Sequence, residues 1–250
     1  MSERHAITRV RHTLRMRLLD VLHVQRLTPH MVRVTFTGED LEGFVSASPD
    51  DHVKLFFPVD GGQINLPTMG PDGPVFAEGV TPSPARDYTP RHYDAASNEL
   101  VIDFVLHGEG PASTWAESVK VGDVLGVGGP RGSMIVPGDY DHYVLVGDAT
   151  ALPAIGRWLE EMPEHTPVTV LAEITSPDEK QTLKRHVHWF IAGQTPSLDE
   201  TLEALPVPAG DTFWWVATES RRARALRSLL VEQRGIDKDW VKATGYWQAS

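Results

Sequence analysis

The strongest constraint on the fold is a change of pattern near residue 137. Before it, Pro and Gly punctuate short runs of β-branched and aromatic residues, at 31–37, 53–57, 100–106 and 124–127. Such runs are typical of the strands of an antiparallel barrel. After it, apolar runs alternate with helical patterns, which predicts crossover units on a parallel sheet. The helical patterns include 197–205, which starts with the capping-box spacing Ser197-Leu198-Asp199-Glu200, and 219–234. The sequence therefore predicts a β-barrel domain over residues 1–137 and an α/β domain over residues 138–250.

Length and charge exclude several classes of protein. With 250 residues, 41% of them hydrophobic, the chain can bury the cores of two domains. Its formal net charge of -11 at pH 7 opposes binding to phosphate backbones, which depends on clustered Lys and Arg. We therefore expect no nucleic-acid partner.

The chain has no cysteine, which excludes disulfides, Cys-ligated iron–sulfur clusters and thiolate zinc sites. Its 11 His residues include the pairs His5/His12 and His186/His188. Neither pair has metalloprotease spacing or an obvious third ligand. We expect no catalytic metal, so any redox chemistry would use a non-covalent organic cofactor.

No part of the sequence approaches the roughly 20 apolar residues of a membrane span, and the N-terminus offers no apolar core for a secretory signal. This favours a cytoplasmic protein without a membrane span, and we expect a monomer. A basic N-terminus would also fit a transit peptide or an acidic partner, through Arg4, Arg9, Arg11, Arg15 and Arg17. Apolar residues interleave with these charges, which favours an ordinary half-exposed strand.

The segment 86–91 combines three groups that suit a planar cofactor with a charged tail. Arg86 offers a cation for a phosphate, Tyr88 an aromatic face for a ring system, and Thr89 a hydroxyl for a ring nitrogen. On an extended strand, Arg86 and Tyr88 share one face. The alternative is a plain barrel strand with a solvated Arg and a packed Tyr.

A second anion site is indicated where the strand at 100–106 runs into the Gly-rich stretch 107–115. A Gly-rich turn that opens a helix presents free backbone N–H groups, and Ser113 or Thr114 adds a hydroxyl. Because the segments 86–91 and 107–115 could each bind a phosphate in one barrel, they favour a dinucleotide ligand. His107 suits a stacking or hydrogen-bonding contact beside them. The alternative is a capped helix without a ligand.

The second domain opens at 144–153 with a strand, a tight turn and a helix that has Pro153 in its first turn. Open α/β sheets bind nucleotides at such turns, although this one lacks G-x-G-x-x-G. Arg221 or Arg222, at the start of a later helix, could meet the phosphate of a nicotinamide nucleotide. The alternative is a solvated helix turn without a ligand.

Together these segments resemble the siderophore-interacting protein family, a branch of the ferredoxin-reductase-like flavoproteins. The R-x-Y-T pattern at 86–89 is moderately specific for that superfamily. Its specificity is increased by further segments in the same order, at 28–34, 51–58, 110–113, 129–132, 147–148 and 245–247. The resemblance covers nearly the whole chain. It implies an antiparallel FAD-binding barrel followed by a parallel-sheet domain that binds NADH or NADPH.

The resemblance also implies a cofactor site. FAD would meet Arg86 and the 110–113 turn with its pyrophosphate and pack its ring system on Tyr88. Its reactive edge would lie near Thr89, so that Tyr88 and Thr89 are the expected catalytic residues. Asp148 and Thr150 would touch the adenine end. The full expected cofactor set is Arg86, Asp87, Tyr88, Thr89, Asp103, His107, Gly110, Ala112, Ser113, Thr114, Asp148 and Thr150.

The chain departs from the family pattern at two turns. The family's Gly-Asp-Glu-Thr is replaced by Gly-Asp-Ala-Thr at 147–150, with Ala149 in the third position. The family's Ala-Gly-Glu is replaced by Ala-Thr-Glu at 217–219. Both departures bear on the expected adenine contacts and nicotinamide pocket.

The implied activity is that of a ferric-siderophore reductase. A hydride from NADH or NADPH would reach FAD, and single electrons would pass to an Fe(III) chelate, which releases iron because Fe(II) binds hard oxygen donors more weakly. The expected substrate cations are Lys54, Arg91 and Arg131. The alternatives are a general flavin or electron-transfer reductase, and a siderophore-binding protein that kept the fold without catalysis.

Overall fold

The chain folds into two compact units. The computed structural model describes residues 5–71 and 73–249. One unit is Ile7–Ile135, and the other runs from Val136 onward and also includes His5 and Ala6. Each unit has its own hydrophobic core.

The first unit is built on an antiparallel sheet. Its strands are β1 (Thr8–Arg11), β2 (Met16–Thr28), β3 (Met31–Thr37), β4 (Val53–Phe56), β5 (Thr68–Gly70), β6 (Gly73–Val75), β7 (Ala85–Tyr88), β8 (His92–Asp94), β9 (Glu99–Val105), β10 (Val124–Gly128) and β11 (Gly132–Ile135). Seven of them form one sheet in the order β7-β4-β10-β2-β3-β9-β8. The other pairs are β1 with β11 and β5 with β6. The expected barrel of antiparallel strands is confirmed.

Alternating residues of these strands form the barrel core. In β9, Leu100, Ile102 and Phe104 are fully buried, as the two-residue period of a strand requires. Helix α1 (Gly110–Ser118) follows β9 and packs on the same core, with 5.5 Å between the ring centroids of Trp115 and Phe104. A turn of four residues, 106–109, therefore connects a buried strand to α1.

The second unit is a parallel sheet covered by helices. Its strands are β12 (His142–Gly147), β13 (Val168–Ile174), β14 (His188–Ile191), β15 (Thr212–Glu219) and β16 (Val241–Trp247), in the order β14-β13-β12-β15-β16. Helix α2 (Leu152–Glu161) packs on one face, while α3 (Leu198–Ala204) and α4 (Ser220–Ser228) share a core on the other. Trp214 and Trp215 are both fully buried in β15, as expected for a strand covered on both faces. The expected parallel sheet is confirmed.

Local helix signals in the second unit are mostly confirmed. Ser197 and Glu200 form the expected capping box of α3, since each side chain bonds the other's backbone N–H. The helix expected over 219–234 is shorter, because α4 ends at Ser228 and a wider π-helical turn follows over 229–233. This turn keeps the apolar Leu230 buried.

His5 holds the start of the described chain in the second unit. Its Nδ1 lies 2.7 Å from the carboxylate of Asp139, and its Nε2 lies 2.9 Å from that of Asp211. The ring stacks on Tyr140 with 4.0 Å between centroids. These partners are more than a hundred residues away in sequence, so no local pattern indicates the contact.

The barrel contains a buried carboxylate, Asp103, between two guanidinium groups. Arg33 donates to both of its oxygens, at 2.7 and 2.8 Å, and Nε of Arg91 lies 3.8 Å away. Asp103 is 3% exposed and Arg91 is 6% exposed. This placement does not fit the expected roles of Asp103 as a cofactor ligand and of Arg91 as a surface cation for a chelate.

We expect Asp103→Ala to lower the free energy of unfolding of the first unit by about 3–5 kcal/mol, because it removes the carboxylate that faces two buried or partly buried cations. Chemical denaturation of the apoprotein followed by circular dichroism measures this. The control is Asp87→Ala, whose ion pair with Lys54 is about half exposed and should contribute less than about 1 kcal/mol. Equal effects of the two substitutions would contradict the structural role of Asp103.

Candidate functional site

Strand β7 carries the candidate aromatic platform, Tyr88. It pairs with β4, and Tyr88 lies opposite the buried Val53. The Tyr88 ring packs against Phe104, with 4.7 Å between centroids. Burial raises the pKa of the Tyr88 phenol, and the nearby Arg86 cation offsets only part of this rise. The phenol is therefore neutral at physiological pH and can donate a hydrogen bond.

Arg86 is an exposed cation on the same strand. Its guanidinium donates to the backbone carbonyl of Ala85 at 2.8 Å. Within residues 5–71 and 73–249, no carboxylate forms an ion pair with it. The neighbouring Asp87 instead binds Lys54, which lies opposite it on β4, at 2.6 Å. The charge of Arg86 is thus available to an anion, whereas Asp87 is occupied by a surface ion pair.

The turn before α1 is open and its helix start has no side-chain cap. Gly108 and Gly110 have φ angles of 78° and 80°, in the left-handed region that favours glycine. A Cβ at Gly108 would meet nothing within 4 Å. The N-cap residue Glu109 makes no capping bond, and no acidic residue lies in the first turn of α1. The first backbone N–H groups of the helix are therefore not satisfied by a carboxylate of the helix itself.

Ser113 fixes this turn from inside. Its side chain is fully buried, and its hydroxyl oxygen accepts from the backbone N–H of His107 at 3.0 Å and of Gly108 at 3.1 Å. Ser113 thus shapes the turn with its side chain, while its backbone N–H belongs to the helix start. Of the other expected residues, Ala112 is buried in the core, whereas His107, Gly110 and Thr114 are exposed.

The strand and the turn belong to one aromatic cluster. The ring of Tyr88 contacts that of Phe104, which in turn contacts Trp115 of α1 at 5.5 Å. Thr89, which follows Tyr88, is 6% exposed. Strand β7 and helix α1, which the sequence indicates separately, therefore pack on the same part of the barrel core.

In the second unit, Asp148 joins three strand ends. One carboxylate oxygen accepts from the backbone N–H and the hydroxyl of Thr150, at 2.9 and 2.5 Å. The other accepts from the hydroxyl of Thr218 at 2.7 Å and from the indole N–H of Trp247 at 2.8 Å. The sequence patterns did not identify Thr218 and Trp247 as partners of Asp148. Their positions near the ends of strands in the same parallel sheet as β12 are the signal that points to them.

The two candidate arginines of α4 have different surroundings. Arg222 donates to the carboxylates of Glu173 and Asp199 at 2.5 to 2.9 Å. Burial alone would lower the pKa of Arg222, but the bonds to these carboxylates raise it. Arg222 is therefore occupied by structural ion pairs. Arg221 is exposed in the first turn of the helix.

Two of the expected substrate cations lie on neighbouring segments of the first unit, Lys54 in β4 and Arg131 in the turn between β10 and β11. Lys54 is about half exposed and shares its charge with Asp87. Arg131 is exposed, and its guanidinium forms no ion pair within the described residues. Gly128 lies opposite Lys54 in the pairing of β10 with β4, so the turn that carries Arg131 leaves the sheet beside Lys54.

The described part of the chain contains no group of three or more His, Asp or Glu side chains that could hold a metal ion. None of its helices is long and apolar enough to cross a membrane.

An antiparallel barrel sheet followed by a parallel sheet is the fold of ferredoxin-reductase-like proteins. The ferredoxin reductase of carbazole 1,9a-dioxygenase shares this fold, with a TM-score of 0.70 at 15% identity over 94% of this chain and 70% of that one. A likeness at this identity concerns the fold alone.

Within that class, the chain belongs to the siderophore-interacting protein family. Residues 20–134 match the siderophore-interacting FAD-binding domain, and residues 140–250 match the siderophore-interacting protein domain. The chain is 38% identical to the NADPH-dependent ferric-chelate reductase of Escherichia coli (strain K12), over 96% of each chain. It is 36% identical to the ferric vibriobactin reductase ViuB of Vibrio cholerae, over 93% of this chain and 89% of the relative.

Solved structures agree with this assignment. A siderophore utilization protein from T. fusca matches with a TM-score of 0.88 at 38% identity, over 98% of this chain and 97% of that one. The siderophore-interacting protein SipS from Aeromonas hydrophila matches with a TM-score of 0.78 at 31% identity, over 94% and 92%. Both likenesses extend over the two units of the chain.

We expect Ser113→Ala to lower the free energy of unfolding of the first unit by about 1 kcal/mol, because the backbone N–H groups of His107 and Gly108 lose their acceptor. Chemical denaturation measures the change. Ser118→Ala is the matched control, since Ser118 is an exposed residue at the end of the same helix. An unchanged stability of the Ser113 variant would show that the hydroxyl does not hold the turn.

Proposed function

We propose that the protein is a ferric-siderophore reductase that binds FAD and takes its electrons from NADPH. The observation that carries this proposal is the arrangement in the first unit, where the Arg86 cation, the Tyr88 ring and an open helix start lie on one barrel. That unit matches a siderophore-interacting FAD-binding domain. Two relatives of nearly the same extent are named as ferric reductases.

The residues present fit FAD. Arg86 has no carboxylate partner among the described residues, which suits an anion. The glycine turn is open, since a Cβ at Gly110 would meet only His107, at 4.0 Å. The start of α1 has no acidic residue and no side-chain cap, as a site for a pyrophosphate requires.

In this proposal, Arg86 and the backbone N–H groups of Ala112 and Ser113 hold the pyrophosphate. The ring of Tyr88 supports the flat ring system. The reactive edge of that ring system lies near the backbone of Thr89, because the Thr89 side chain is buried. When bound, FAD would accept two electrons as a hydride and release them singly. The barrel domain, assigned to residues 1–137, thus orients the cofactor and limits its exposure to water.

The nicotinamide nucleotide is assigned to the domain over residues 138–250. Asp148 and Thr150 shape the turn after β12, at the carboxyl end of the parallel sheet, where open α/β sheets bind nucleotides. We assign Arg221 to the extra phosphate of NADPH, because it is exposed while Arg222 is held by Glu173 and Asp199. The name of the Escherichia coli relative supports NADPH over NADH.

The substrate is an Fe(III) chelate bound beside Lys54 and Arg131. In a protein with a formal net charge of -11, an anionic chelate needs local cations to approach the surface. Asp87 partly neutralises the charge of Lys54, so Arg131 attracts the chelate more strongly than Lys54 does. Iron leaves after reduction because Fe(II) is held more weakly by hard oxygen donors.

The test is a visible spectrum of the purified protein, followed by anaerobic addition of NADPH or NADH and then of a ferric siderophore. We expect bound FAD, bleaching that is faster with NADPH, and return of the oxidised spectrum with formation of Fe(II). Protein that neither contains nor takes up FAD would overturn the proposal in favour of a carrier. Reoxidation by free flavin or ferredoxin but not by the ferric siderophore would favour a general reductase.

We expect Arg86→Ala to weaken FAD binding by about 10- to 100-fold, because a hydrogen bond to a charged group contributes about 1.5–3 kcal/mol. Titration of apoprotein with FAD, followed by flavin fluorescence, measures the dissociation constant. Arg9→Ala is the control, because it removes an equally exposed arginine from β1 of the same unit. If both variants bind FAD like the unmodified protein, Arg86 does not contact the cofactor.

A further inference from the structure

Asp51 is a buried carboxylate that the proposed reaction does not use. It is 3% exposed. One of its oxygens accepts from the hydroxyl of Ser46 and the backbone N–H of Ala47, both at 2.9 Å, and from the backbone N–H of Ser48 at 3.1 Å. The same oxygen accepts from the hydroxyl of Ser133, which is the shortest of these bonds at 2.6 Å. Asp51 therefore ties the turn at 46–51 to the beginning of β11.

Ser133 extends this network to His12. It is 3% exposed, and its oxygen lies 2.7 Å from Nε2 of His12. Since the hydroxyl has one proton, which it donates to Asp51, its oxygen accepts from His12, and the imidazole carries a proton on Nε2. The backbone N–H of His12 also donates to the carbonyl of Arg131 at 2.9 Å. His12 thus holds the chain at residues 131 and 133 at once.

The network lies between the two segments that carry the proposed substrate cations. Arg131 is two residues before Ser133, and Lys54 is three residues after Asp51. Before Arg131 in the chain, the pairing of Gly128 with Lys54 sets the distance between the two segments. After Arg131, the bond between Asp51 and Ser133 sets this distance, and the bond from His12 holds Arg131 itself. The network reaches the backbone of Arg131 but includes neither cationic side chain.

We propose that Asp51, Ser133 and His12 are positioning residues for the anionic ferric chelate, holding the backbone of Arg131 in a fixed relation to the strand of Lys54. The inference rests on the proposed function, because it assumes that these two cations meet the chelate. A rigid backbone beneath flexible cationic side chains reduces the ordering that binding requires. Loosening it therefore weakens binding of the anionic substrate without changing the cofactor site.

The test is Ser133→Ala in the FAD-loaded protein, with two ferric probes of different charge. For the anionic Fe(III)-EDTA we expect KM to rise by about 3- to 10-fold, because the segment of Arg131 loses the hydrogen bonds that the Ser133 hydroxyl makes to Asp51, to His12 and to the backbone N–H of Ala47. The kcat, the FAD content and the KM for the uncharged tris(acetohydroxamato)iron(III) stay unchanged. A purely structural defect would instead alter both probes or the FAD content, and would overturn the proposal.

Further variants control for folding and for the type of substitution. His12→Ala repeats the test from a less buried residue, and His12→Gln, which places an amide near the position of Nε2, should restore the KM. Ser97→Ala is the matched control, because Ser97 donates to Asp94 at 2.9 Å in an exposed turn of the same unit. We expect it to leave both KM values unchanged.

Arg131→Ala separates this inference from the proposed function. If it leaves the KM for Fe(III)-EDTA unchanged, the substrate role of the cation fails. If Arg131→Ala raises that KM while Ser133→Ala and His12→Ala do not, the cation is retained and the positioning network is overturned.

Discussion

The contact between Tyr88 and Phe104, with 4.7 Å between ring centroids, joins the two ends of the barrel sheet. That sheet ends in β7 and β8, and open edges expose unpaired backbone groups. The segment after β7 also bonds to β9, since the backbone N–H of Arg91 donates to the carbonyl of Val101 at 2.8 Å. Closure of the barrel and the position of the Tyr88 ring therefore both depend on the short segment 88–91. Tyr88 is packed against the barrel core at this closure, whereas Arg86, two residues earlier, is exposed.

Buried or shared carboxylates determine which cations remain available to ligands. Asp103 engages Arg33 and Arg91 inside the barrel. Glu173 and Asp199 engage Arg222 in the second unit. In an acidic chain, the cations outside such ion pairs indicate where an anion can bind. A phosphate or chelate reaches them without displacing a carboxylate. Arg86 and Arg131 are exposed cations of this kind.

The sequence predicts most of the fold because its signals act over a few residues. Alternation in β9 and the capping box of Ser197 and Glu200 each depend on neighbours within four positions, and both are present. The site is less predictable where partners are distant in the chain. Arg33 and Asp103 are 70 residues apart, and Asp148 and Trp247 are 99 apart. No local pattern distinguishes an arginine that faces solvent from one that is buried against such a carboxylate, which is why Arg91 was assigned to the substrate.

The two departures from the family pattern meet at Asp148. Ala149 lies in the short turn after β12, but that turn is held by its neighbours, since the Asp148 carboxylate bonds both the N–H and the hydroxyl of Thr150. A Cβ at Gly147 would collide with Ala151 and the carbonyl of Ala217, so the close approach of the turn to the sheet depends on that glycine. Thr218, in place of the family's Gly, donates a further bond to Asp148. The chain thus lacks the family's Glu side chain at position 149 but gains the hydrogen bond from Thr218 to Asp148. The turn remains fixed. Ala149 is therefore no argument for a carrier that has lost its nucleotide site.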